Sequence, residues 1–153
     1  MIYDYFRCLA YRIVRKLFDS YRRYGDPLAV EWVAIDEFQM KENVFYLAYT
    51  RDGELCMVSY RHGSVGMEGK TTYIFGEHEI THVAEIPTDP ERYMMVNHGH
   101  PFWSDARSRQ SFMYCHNGEW QVGCLINNRV YSDSGSSVTY RDVAKVVPRI
   151  CTP

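Results

Sequence analysis

The chain has 153 residues, 46% of them hydrophobic and 24% charged, with a net charge of −2. These values belong to one ordinary folded domain or two very small modules, and they exclude a disordered chain and a collagen-like repeat. No run reaches the roughly 18 to 20 apolar residues of a membrane span, and the N-terminus lacks the order of a signal peptide, so a cytoplasmic location is expected.

Charge is unevenly placed. Residues 1–26 hold six basic and three acidic side chains, a net of +3, whereas residues 27–153 hold 11 basic and 16 acidic, a net of −5. Ile2 to Tyr24 has helical periodicity: Phe6, Leu9, Ala10, Ile13, Val14, Leu17 and Tyr21 share one arc, and the arginines share the other. Gly25-Asp26-Pro27 supplies the stop. The spacing predicts an amphipathic helix within 1–26. Its apolar arc needs a partner, either the protein's own sheet or the same helix of a second subunit in a homodimer. Its basic face would also suit a membrane surface or nucleic acid, with Arg12, Arg15 and Arg22 as candidate contacts.

From Leu28 onward, short β-branched and aromatic runs alternate with turn residues. The first set of predicted strands is Val30-Ile35, Val44-Thr50, Glu54-Arg61, Thr71-Phe75 and Ile80-Glu85. The second is Tyr93-Val96, Ser111-Cys115, Glu119-Ile126, Arg129-Ser132 and Asp142-Val147. Asp52-Gly53 and Asn117-Gly118 mark tight hairpins, and Asn127-Asn128 marks another turn. The expected class is α+β, one helix followed by two antiparallel β-modules at 28–88 and 91–150. The modules look alike: residues 45–60 lie over 111–126 with Gly53 matched to Gly118. Residues 81–87 lie over 141–148, as after a diverged tandem duplication.

The five cysteines are odd in number and widely spaced, which fits reduced thiols, mostly buried. Aromatic residues make 15% of the chain, a content that suits half-buried strands and protein interfaces.

Residues 78–82 read HEITH, the H-E-x-x-H pattern of zinc metalloproteases. On a helix His78 and His82 would share a face and bind one zinc, Glu79 would act as general base, and His98 or His100 of NHGHP would complete the site. The context argues for a strand: TTYIF precedes it, Gly76 interrupts, and Pro87 stops any helix. In a strand, His78 and His82 lie about 13 Å apart at about 3.3 Å per residue, too far to share a metal. His98, His100 and His116 offer a second arrangement that could bind metal from an extended segment, against a polar turn whose Phe102 and Trp103 pack on the sheet. No nucleophile elbow or phosphate-binding glycine loop is present.

Trp32-Val33-Ala34-Ile35, Val44-Phe45-Tyr46-Leu47-Ala48-Tyr49, Gly53, Tyr60 and Thr81-His82-Val83-Ala84-Glu85-Ile86-Pro87 carry a further pattern. Over Trp32 to Pro87 the chain resembles a small domain family of unknown function common in phages and prophages. Its motif runs from a tryptophan strand through a V-L-x-Y hairpin to a closing T-H-W-x-x-L-P segment. Here Val83 stands for the usual tryptophan, and the proline after the first strand is lacking. The resemblance implies that Thr81-His82 sits on a closing strand, and it supplies no activity.

The function expected is a non-enzymatic phage or prophage accessory protein that binds and inhibits a host macromolecule, with no cofactor. Candidate contacts are Phe102, Trp103, Arg107, Arg109 and the helix arginines. The alternatives are a zinc-dependent hydrolase using HEITH and nucleic-acid binding through the basic helix.

Overall fold

The computed structural model describes residues 27–61, 64–66, 79–106 and 111–153, with Ala10 alone from the preceding stretch. In chain order the strands are β1 (Val33–Ala34), β2 (Phe45–Thr50), β3 (Leu55–Arg61), β4 (Ser64–Gly66), β5 (Ile80–Glu85) and β6 (Met94–Met95). A short helix α1 (Pro101–Asp105) leads to β7 (Ser111–His116), β8 (Glu119–Ile126), β9 (Arg129–Ser132) and β10 (Ser137–Thr139). A 3-10 turn at Tyr140–Asp142 precedes β11 (Lys145–Val147).

The expected α+β class is corrected. Two antiparallel sheets carry the fold, and among the described residues of 27–153 the only α-helix is the five-residue α1, so the described architecture is mostly β-sheet rather than a helix followed by β-modules. The reason is the period-two alternation of apolar residues that begins at Leu28 and persists to Val147. The amphipathic helix expected within 1–26 and the strand expected at Thr71-Phe75 lie outside the described residues.

Sheet 1 has the order β1-β5-β2-β3-β4 and sheet 2 the order β10-β9-β8-β7-β11-β6. Read from the other end, sheet 2 repeats sheet 1 strand for strand: β6, β11, β7, β8 and β9 stand where β1, β5, β2, β3 and β4 do. Register agrees with topology. In sheet 1 Leu47 pairs with Met57 on one side and Ala84 on the other; in sheet 2 Met113 pairs with Val122 and Val147. Likewise Arg61 pairs with Ser64, and Ile126 with Arg129.

The two central hairpins differ by one residue, which their turns explain. Asn117-Gly118 joins β7 to β8 with φ of 52° and 77°, the mirror-image two-residue turn that twists with its strands. Arg51-Asp52-Gly53 is one residue longer. It is closed by Thr50, whose hydroxyl accepts from Glu54 N at 3.0 Å and bonds to Asp52, while Gly53 takes φ 87°.

Alternation then sorts each sheet's side chains into two faces. Leu47, Met57 and Ala84 of sheet 1 meet Met113, Val122 and Val147 of sheet 2 in one core, with Leu28 beside them. Each buried side chain of this size stabilises the fold by about 1.5–3 kcal/mol relative to exposure. The opposite faces are covered by the segments that link β1 to β2 and β6 to β7. Ile35, Phe38 and Met40 lie on Ala48, Val58, Ile80 and Val83. Val96, Phe102 and Trp103 lie on Phe112, Tyr114, Val130 and Val146. Even the ring contacts correspond: Phe38 meets Tyr46 edge-on at 5.2 Å, and Phe102 meets Phe112 edge-on at 5.1 Å.

Polar contacts at two places tie the halves together. Asp133 accepts from Met57 N at 2.9 Å, so a loop of sheet 2 bonds to the centre of β3. Leu28 N donates to Arg149 O at 3.0 Å and Cys151 N to Leu28 O at 2.8 Å, which fixes the last residues against the start of the first block.

Candidate functional site

Two clefts of about 340 Å³ each lie between the sheets. They are built reciprocally. In the first, the β2–β3 turn (Gly53, Glu54, Leu55) faces Ser111, Phe112 and Val147 of sheet 2, with Trp32 and Tyr49 on its wall. In the second, the β7–β8 turn (Gly118, Glu119, Trp120) faces Phe45, Ile86 and Pro87 of sheet 1. Leu55 and Trp120 hold corresponding places in their hairpins, so the same position is aliphatic in one cleft and aromatic in the other.

The chemistry of the two differs further. The first cleft includes Arg149, and Trp32 there donates its indole N–H to Cys151 O at 2.6 Å and packs on Tyr49 with centroids 5.8 Å apart. Ser134 and Gln121 line the second. Ser134 Oγ lies 2.8 Å from Ser132 Oγ and donates to Gln121 Oε1 at 3.4 Å, and Ser136 Oγ donates to the same oxygen at 3.5 Å.

A third feature is the β6 edge. β6 ends sheet 2, with no described strand beyond it. Val96 N donates to Ala144 O at 2.9 Å, and Met94 pairs with Val146. These residues turn their backbone groups toward β11, so those of Met95 point away from the sheet. Met95 is 60% exposed and Tyr93 45%, two of the four exposed large hydrophobic residues among the described ones. Tyr93 packs on Trp120 at 6.0 Å, and Lys145 Nζ stands 5.0 Å from the Tyr93 ring centre. At the corresponding edge of sheet 1 Met95 is replaced by Ala34, and Tyr93 by the tethered Trp32.

The residues singled out from sequence fall differently. Phe102 and Trp103, expected as exposed contacts, are buried at 5% and 8%. His100 caps α1 by accepting from Phe102 N at 3.0 Å, and this first turn swings both rings under the sheet. Trp103 Nε1–H donates to Asn97 O at 3.0 Å, which lets the indole be buried. Arg12, Arg15, Arg22, Arg107 and Arg109 lie outside the described residues.

His82 stands on β5, opposite Tyr49 and Ala34, with Nδ1 2.9 Å from Thr81 Oγ1. Residues 80–82 are therefore extended, as the context of HEITH predicts. Glu79 forms an ion pair with Arg51, and its carbonyl accepts from Arg51 N at 2.8 Å. His78 is outside the described residues. His98 is exposed in the turn before α1, and His116 ends β7 beside Glu119. Among the described residues no three His, Cys, Asp or Glu side chains are grouped to hold a metal ion.

Cys56, Cys115, Cys124 and Cys151 are thiols rather than disulfides; the first three are half-buried and Cys151 is exposed. No helix among the described residues is long and apolar enough to cross a membrane.

No family model matches the chain, and neither a curated protein nor a solved structure matches it.

Proposed function

We propose that this chain is a non-enzymatic binding protein that captures an extended segment of a partner protein along β6. The observation that carries the reading is the β6 edge, against which no described strand lies. The outward backbone groups of Met95 lie between two exposed apolar side chains, the arrangement that sheet proteins otherwise blunt with charge, proline or a cover. A strand laid there gains main-chain hydrogen bonds from Met95 and apolar contact from Met95 and Tyr93, the mode known as β-augmentation. The phage-type resemblance of Trp32 to Pro87 supports a finer version, in which the partner belongs to the host and binding inhibits it.

The test compares the wild type with two variants, Met95→Lys and Met95→Pro, as immobilised bait. Because the Met95 N–H points away from β11, proline at this place removes the outward donor and keeps the bonds of β6 to β11. A partner retained by the wild type and lost by both variants, at unchanged thermal midpoint, supports the reading. A partner retained equally by all three contradicts it.

A further inference from the structure

We infer that the second cleft is a binding site for a neutral carbohydrate, with Trp120 as its stacking platform. The inference shares Tyr93 with the edge-strand reading but not Met95, on which that reading turns. Four observations lead to it.

Trp120 lines the cleft and is half-buried, held from one side by Tyr93 at 6.0 Å. A fixed indole offers a flat apolar face of the kind on which the C–H side of a pyranose ring stacks, at little cost in ligand or side-chain freedom.

Beside the apolar wall of Phe45, Ile86 and Pro87, the polar groups of the cleft are hydroxyl, amide and carboxylate, from Ser134, Gln121 and Glu119. The contacts of Ser134 with Ser132 and of Ser134 and Ser136 with Gln121 hold the hydroxyl and the amide in place. A hydroxyl both donates and accepts, an amide does both at separate atoms, and a carboxylate accepts twice. This is the mixture that matches adjacent sugar hydroxyls, each of which is itself donor and acceptor.

Charge argues against the ligands that would compete for an aromatic shelf. None of the residues lining this cleft is Lys, Arg or His, and the charged side chain in the lining is Glu119. Lys145 stands over the Tyr93 ring, outside the lining, and residues 27–153 carry a net of −5. A nucleotide or phosphopeptide would bring its phosphate to a lining whose charge is a carboxylate. A neutral sugar meets no such repulsion.

Size fits as well: about 340 Å³ is at the lower end of the range of about 300–1,000 Å³ that ligand pockets span, the scale of a mono- or disaccharide. The first cleft has the same volume but holds Leu55 where the second has Trp120, carries its indole as Trp32 tied to Cys151 O, and adds Arg149, so it serves as an internal comparison.

The experiment is a titration of the full chain with chitobiose, cellobiose and maltose, followed by tryptophan fluorescence and by calorimetry, with uridine monophosphate as the charged comparison. The expected result is saturable binding of at least one disaccharide with a change in indole emission, and no binding of the nucleotide. Ser134→Ala and Glu119→Gln alter rim groups without touching the core and weaken that binding several-fold. Trp120→Ala raises Kd by at least about tenfold, Trp120→Phe by less, and Trp32→Phe in the first cleft leaves it unchanged. The inference is overturned if no disaccharide gives a saturable signal, if the nucleotide binds in preference, or if the two rim variants bind as the wild type does. Met95→Lys should bind the sugar normally, so failure here and failure of the edge-strand reading are told apart.

Discussion

Leu47 and Met113 occupy the same place in two copies of one pattern. Each is fully buried, each stands on the first strand of a central hairpin, and each is paired on one side with the hairpin's second strand and on the other with its sheet's closing strand. Both face the shared core. The correspondence predicts matching costs: Leu47→Ala and Met113→Ala should each lower the unfolding free energy by about 2–5 kcal/mol in urea denaturation. Both should do so in a single transition seen by all probes, because neither sheet has that core to itself.

Asp133 gives a more selective test of how the sheets are joined. Its carboxylate accepts from Met57 N while its own N–H donates to Val122 O at 3.0 Å, so one residue holds the loop after β9 to both sheets. Asp133→Ala leaves the Met57 amide without that acceptor and should cost about 1–3 kcal/mol. Asp133→Asn keeps an acceptor oxygen and should recover most of the loss.

Two glycines should respond for different reasons. At Gly123 a Cβ would come within 2.3 Å of the Tyr131 carbonyl oxygen on the neighbouring strand, and backbone has nowhere to go. At Gly118 a Cβ meets nothing within 4 Å, and only the left-handed φ of 77° opposes a side chain. Gly118→Ala should therefore cost about 1–2 kcal/mol. Gly123→Ala should cost clearly more and disturb the β8–β9 pairing, read as loss of amide protection at Cys124 and Tyr131.

Tyr114 sets an alkaline limit. Burial pushes its phenol above the ordinary 10.0, only partly opposed by its hydrogen bond with Ser132. A raised folded value means that the fold favours the neutral phenol. Its contribution is intact below pH 10.0 and is lost as pH rises through the folded value. Stability should fall as pH rises from 10.0 through the folded value, and less steeply in Tyr114→Phe, as unfolding curves at successive pH values would show.

Much of the strand layout was legible in the residues. Ile80–Glu85, Glu119–Ile126 and Arg129–Ser132 have the expected bounds because their apolar alternation is bounded by clear turn residues. The Gly53 and Gly118 match also located the corresponding hairpins. The match of 81–87 to 141–148 is three residues out of register at Val83-Ala84, which it lays over Val143-Ala144, whereas pairing makes Val146 and Val147 the counterparts. Residues β4 and β10 span only three positions each, too few for alternation to show. The site was harder to read. Phe102 and Trp103 were legible both as exposed contacts and as rings packed on the sheet behind a polar turn; the cap made by His100 turns them inward, as the second of these expects. Tyr93 and Met95 lay in a predicted strand, but that the strand is the last of its sheet depends on contacts with Lys145 and Val146 some fifty residues later.

Hydrogen exchange at Met94, Met95 and Val96 tests the open edge most directly. In the isolated protein Met94 and Val96 should be protected and Met95 should exchange rapidly, and in the complex with a captured partner Met95 should become as slow as its neighbours. A Met95 amide already protected in the isolated protein, or one that stays fast in the complex, would contradict the account.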